Sequence, residues 1–85
     1  MNTALKLDIE KVTYELRCMA IRSEGYEKDR KTTQEHINKF GMTPEVEFSL
    51  AKLELLIERH ELDKKEKRME LMFLYKKSLN NLKQG

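Results

Sequence analysis

The sequence predicts an all-α fold, an antiparallel helical hairpin with a long second helix. Three observations carry this. A single punctuation, Gly41-Met42-Thr43-Pro44, divides the 85 residues into two halves of similar length. Apolar residues in both halves alternate at spacings of three and four, the rhythm of an amphipathic helix. Pro44 is the only proline, and the remaining glycines are Gly25 and Gly85, so little else interrupts a helix.

In the first half Leu5, Ile9, Val12, Leu16 and Met19 follow the 4-3-4-3 spacing. They predict a helix from about Thr3 to Glu24 with one apolar seam. The same rhythm continues through Ser23, Tyr26, Arg30, Thr33, Ile37 and Phe40, but it turns polar between Ser23 and His36. Gly25 costs about 1 kcal/mol in a helix interior, and Thr32-Thr33-Gln34-Glu35 has the form of a capping box. Either one helix runs to Phe40, or it breaks near Gly25 and restarts as a short middle helix over 33–40. The capping signal favours the break.

At the punctuation, Gly41 supplies the left-handed conformation that closes a helix. Thr43 is an N-cap, and Pro44 fits a first helical turn, where its missing N–H removes no bond. The second half, 44–83, is rich in Glu, Leu, Lys and Met and predicts one helix of about 60 Å, much longer than the first. At 100° per residue its core side holds Val46, Leu50, Leu53, Ile57, Leu71, Tyr75, Leu79 and Leu82, interrupted by His60, Lys64 and Arg68. The hairpin then sets Leu5, Ile9 and Val12 near Leu79, Tyr75 and Leu71 or Met72.

Both helices carry a second apolar stripe. Leu7, Tyr14 and Ile21 lie seven apart on the first helix, flanked by Arg17 and Arg22, with Cys18 filling the gap. On the second helix Phe48, Leu55, Leu62, Met69 and Phe73 form the counterpart. A hairpin buries one face of each helix, so the surplus apolar surface calls for a partner chain. Leu7, Tyr14, Arg17, Ile21 and Arg22 are the expected patch for a foreign protein, since Tyr and Arg are enriched at binding hot spots. Phe48, Leu55, Leu62, Met69 and Phe73 are the expected self-association face, most simply of a two-fold homodimer.

Composition narrows the function classes. Hydrophobic and charged residues are nearly equal, 39% and 38%, which suits a thin helical protein better than an enzyme with a buried pocket. One Cys rules out an internal disulfide, and Cys18 reads as a packed thiol. The absence of a roughly 20-residue apolar run, and of signal-peptide features at the start, leads to the expectation of a cytoplasmic protein with no membrane role. His36 and His60 have no second ligand at helical spacing, and no phosphate loop or nucleophile constellation is present. No enzyme activity, metal or cofactor is therefore expected. Acids paired at i,i+4 with bases, as in Glu24–Lys28, Glu35–Lys39 and Asp63–Lys67, read as solvated helix charges.

Net charge is +2, too small to point to nucleic acid, but it is polarised. Pro44–Asp63 carries −4 and Lys64–Gly85 carries +5, which complements the dipole of one continuous helix. The alternative function is a small nucleic-acid-binding protein using Lys64, Lys65, Lys67 and Arg68, although no aromatic is interleaved for stacking. The stretch Ile37–Val46 has the outline of a helix-turn-helix, but Glu45 and Glu47 would face phosphates with the wrong sign. A self-assembling structural bundle is a further alternative.

The opening Met1-Asn2-Thr3-Ala4-Leu5-Lys6-Leu7-Asp8-Ile9-Glu10-Lys11-Val12, the Gly41–Pro44 turn and the full length resemble the YqaH-like small prophage-encoded regulators of Bacillus. The resemblance runs along the whole chain without a diagnostic motif. It implies a phage-derived regulator that binds and inhibits a larger host protein, such as the replication initiator DnaA or the master regulator of sporulation. No functional residue transfers on that basis.

Overall fold

The computed structural model describes residues 2–84, with side chains through Leu82. It consists of two helices, α1 (Thr3–Phe40) and α2 (Pro44–Gln84), packed against each other as an antiparallel hairpin measuring 64 × 15 × 15 Å. Asn2 caps α1, its Oδ1 accepting from the Ala4 N–H at 2.8 Å. Gly41 ends it at φ +85° and ψ 173°, an extended left-handed conformation rather than the left-handed helical one expected, while its N–H still donates to the Ile37 carbonyl. That region belongs almost solely to glycine. Thr43 caps α2 as predicted, its Oγ1 accepting from the Val46 N–H at 3.2 Å. Glu45 and Glu47 in the first turn of α2 face the positive end of its dipole.

The expected break near Gly25 does not occur: α1 is continuous for 38 residues and nearly matches the 41 of α2. The supposed capping box fails because Thr32 and Thr33 turn their hydroxyls backward. They donate to the Lys28 and Asp29 carbonyls at 3.0 and 2.8 Å, the i−4 bonding open to threonine inside a helix. Gly25 lies on the exposed side with open space around it. Its local cost is offset by seam contacts on either side, Ser23 with Lys64 and Tyr26 with His60.

The seam of α1 follows the predicted rhythm from Leu5 to Ile37, and Phe40 alone falls outside it, exposed. The seam positions of α2, all buried or half-buried, are Val46, Leu50, Leu53, Ile57, His60, Lys64, Lys67, Leu71, Leu74 and Ser78, with Asp63 half-buried beside them. This agrees with the expectation as far as Lys64 and then departs from it. Lys67 replaces Arg68, Leu74 replaces Tyr75, and Ser78 stands where Leu79 was expected. Tyr75, Leu79 and Leu82 are exposed. Two long helices in contact keep a 3.5-residue repeat, so a stripe drawn at 100° per residue drifts by about 20° each heptad. Leu5, Ile9 and Val12 form the buried apolar core, Val12 at 3% exposure; Val12 lies beside Leu74 rather than the expected Leu71 or Met72, while Ile9 shares a groove with Tyr75 as expected. Leu16, expected in the core, is half-buried.

The corrected seam orders the cost of truncation. Ile9→Ala should destabilise the hairpin by about 2–5 kcal/mol, whereas Leu79→Ala should stay within about 0.5 kcal/mol. Urea unfolding of the two variants measures both. Equal losses would restore Leu79 to the core.

Candidate interaction surface

The middle of the seam is polar. His60 is 5% exposed, and its Nε2 lies 2.8 Å from the Met19 carbonyl on α1. A carbonyl only accepts, so Nε2 carries the proton and donates. The Tyr26 ring meets the imidazole edge-on at 5.3 Å. One turn along, Lys64 has its side chain 12% exposed, donates to Ser23 Oγ at 2.8 Å and pairs with Glu61 at 2.7 Å. Lys67 bridges Glu15 of α1 at 2.5 Å and Glu70 at 3.2 Å. Arg30 closes the set with a bidentate pair to Glu54, at 3.0 and 2.8 Å.

These contacts explain the titration shifts. The Lys67 hydrogen bond holds the Glu15 carboxyl below its usual 4.5, and Lys64 does the same for Glu61. Hydrogen bonds to Glu15 and then Glu70 raise Lys67 above its usual 10.5. The pairing expected for Asp63 with Lys67 is replaced by Arg59–Asp63 and Glu15–Lys67, because Lys67 points into the seam. Two of the four residues in the suspected basic patch, Lys64 and Lys67, are thereby turned inward and neutralised by acids, leaving Lys65 and Arg68 exposed. The helix-turn-helix outline is likewise replaced by a three-residue hairpin turn, 41–43.

Both second stripes lie opposite the seam, on the two outer edges of the hairpin. A 3.5-residue repeat puts residues seven apart on one line. Leu7, Tyr14 and Ile21 therefore run along the back of α1, Ile21 being 69% exposed. Phe48, Leu55, Leu62 and Met69 run along the back of α2, Phe48 being 71% exposed, with the exposed Phe73 beside them. The apolar residues expected in the two patches are thus exposed, on separate edges. Arg17 and Arg22 are both exposed, and their places in the heptad put them on opposite flanks of the α1 stripe. Arg17 lines a 460 Å³ groove with Ile9, Glu10, Thr13, Tyr14 and Tyr75. Tyr75 is the addition that sequence reasoning missed, because the 3.6-residue projection had placed it in the core. The opposite flank is charged, with Asp8, Lys11, Glu15, Lys67 and Glu70 around a smaller depression.

Cys18 is exposed rather than packed. His36 sits beside Phe40 near the turn, at 4.9 Å between rings, far along the hairpin from His60. Among the described residues, no three His, Cys, Asp or Glu side chains gather in a metal-ligating group, and no helix is long and apolar enough to cross a membrane.

No known protein family matches the chain, and no curated protein or solved structure is similar enough to count as a relative.

The lowered Glu15 carboxyl makes the hairpin sensitive to acid. Its contribution to stability is complete above pH 4.5 and is lost as pH falls through the lowered value. Glu15→Gln should reduce the melting temperature at neutral pH and flatten the decline on the acid side. A melting series from pH 6 to about 2 tests this; an unchanged acid limb would remove the pair from the stabilising set.

Proposed function

We propose that the protein is a non-enzymatic interaction module that binds a larger cytoplasmic protein through the outer edge of α1. The carrying observation is the exposed line Leu7, Tyr14 and Ile21, flanked by Arg17 and Arg22 and widened at Tyr14 by Tyr75. Aromatic and Arg side chains around a shallow groove supply area with little loss of conformational freedom, the composition favoured at binding hot spots. The helix on which they stand is held by the seam on its other side, so the patch is preorganised. The resemblance to YqaH-like prophage regulators supplies candidate targets, the replication initiator and the master regulator of sporulation. Inhibition by such a module works through occupancy of the target, with no chemistry of its own.

The nucleic-acid alternative is weaker. Of the four clustered cations, Lys64 and Lys67 are engaged by Glu61, Glu15 and Glu70, which leaves Lys65 and Arg68 of that cluster to meet a phosphate backbone.

Arg17→Glu separates binding from folding, since an exposed charge costs the fold little. Titrated against each purified candidate target, this variant should bind at least about tenfold more weakly while keeping its helicity and melting temperature. Unchanged binding would move the patch elsewhere, and a parallel loss of helicity would make Arg17 structural. Duplex DNA at two salt concentrations tests the alternative, because phosphate contacts lose affinity steeply with salt and helix-face contacts do not.

A further inference from the structure

We infer that the back of α2 is the interface of a two-fold, antiparallel homodimer, with Phe48 of one copy against Met69 of the second and Leu55 against Leu62. The first support is area. The chain exposes 6996 Å², about 1700 Å² more than the roughly 5300 Å² expected of a compact monomer of its mass, 10.2 kDa. A standard interface takes about 800 Å² from each partner, so the excess is ample for one.

The second support is spacing. Phe48, Leu55, Leu62 and Met69 recur every seven residues, a straight line of about 32 Å under the repeat the seam already imposes. A two-fold interface must be self-complementary, residue for residue. Four anchors at equal intervals meet that condition when the line is reversed upon itself, and this register covers all four. The α1 line ends at Ile21, with Lys28 at the next equivalent position, so it is shorter.

The third support is charge. Pro44–Asp63 carries −4 and Lys64–Gly85 carries +5. In this register 44–53 of one copy, net −1, lies along 64–73 of the other, net +2, while 54–63, net −3, lies along its own counterpart, so the charge complementarity sits at the two ends of the shared stretch. In this register Lys52 faces Glu66 of the second copy. Both are exposed, and neither is ion-paired with another described residue. Glu58 and Arg59 straddle the two-fold axis. The dimer leaves Leu7, Tyr14 and Ile21 of both copies uncovered on its outer edges. It therefore presents the patch of the proposed function twice, although dimerisation itself does not rest on that function.

Sedimentation of the full chain at micromolar concentration should return twice the 10.2 kDa mass. Lys52→Glu and Glu66→Lys should each weaken the dimer, by about tenfold, and the double swap should restore it, with helicity unchanged throughout. On a Cys18→Ser background, Glu58→Cys should oxidise readily to a covalent dimer. Ala51→Cys should not, because the register separates its two copies by about 22 Å along the axis. A monomeric mass would overturn the inference and give the face to a foreign protein. A dimer indifferent to the charge swaps, or one cross-linked equally well from either cysteine, would overturn the register.

Discussion

Two helices share only one seam, and in this hairpin the middle of that seam is polar. The apolar core is confined to Leu5, Ile9 and Val12 near the open end. From there toward the turn, alignment is held by the His60 bond to the Met19 carbonyl, the Lys64 contact with Ser23 and the Glu15–Lys67 pair. An apolar seam tolerates a slip of one heptad, because one Leu serves as well as another. A polar one does not. Sliding the helices by seven residues would set Lys64 against Arg30 or Leu16 in place of Ser23, leaving a largely buried polar group without that partner. The polar stretch thus trades burial for a unique register, and the turn at 41–43 begins both helices in that same phase.

The outer surface follows from this alignment. Once the register is set, the back of each helix is determined residue by residue, and the two apolar lines fall on opposite edges. The same register brings Tyr75 beside Tyr14 and Arg17 on one flank. On the other flank it gathers Asp8, Lys11, Glu15, Lys67 and Glu70. Near the open end one broad side of the hairpin therefore sets Tyr14 and Tyr75 beside Glu10 and Arg17, and the other is mainly charged. A thin rod of this kind cannot hide its own hydrophobic surface, because no third layer exists to cover it. A single geometric fact thus decides both which surface the hairpin buries and which apolar edges folding leaves exposed.

Much of this was legible in the sequence. The Gly41–Pro44 turn, the two helices, the α1 seam from Leu5 to Ile37 and both outer stripes follow from local conformational preference and from spacing, which are properties of the chain itself. So does the polar character of the seam at His60 and Lys64. These are short-range rules: a cap needs its own hydroxyl, and a stripe needs only helical periodicity.

The tertiary structure decided what depends on the other helix. Gly25 and the Thr32–Thr33 pair read locally as a break, yet contacts made by Ser23, Tyr26 and Arg30 with α2 hold α1 continuous through them. The choice of Leu74 over Tyr75, and of Ser78 over Leu79, reflects a 3.5-residue repeat that exists only when two helices wind together. Lys67 turns inward because Glu15 lies across the seam, a neighbour 52 positions away in the chain. The sequence by itself determined which residues are apolar and at what interval. Only the pairing of the helices determined which of them are covered, because coverage belongs to the pair and not to either helix alone.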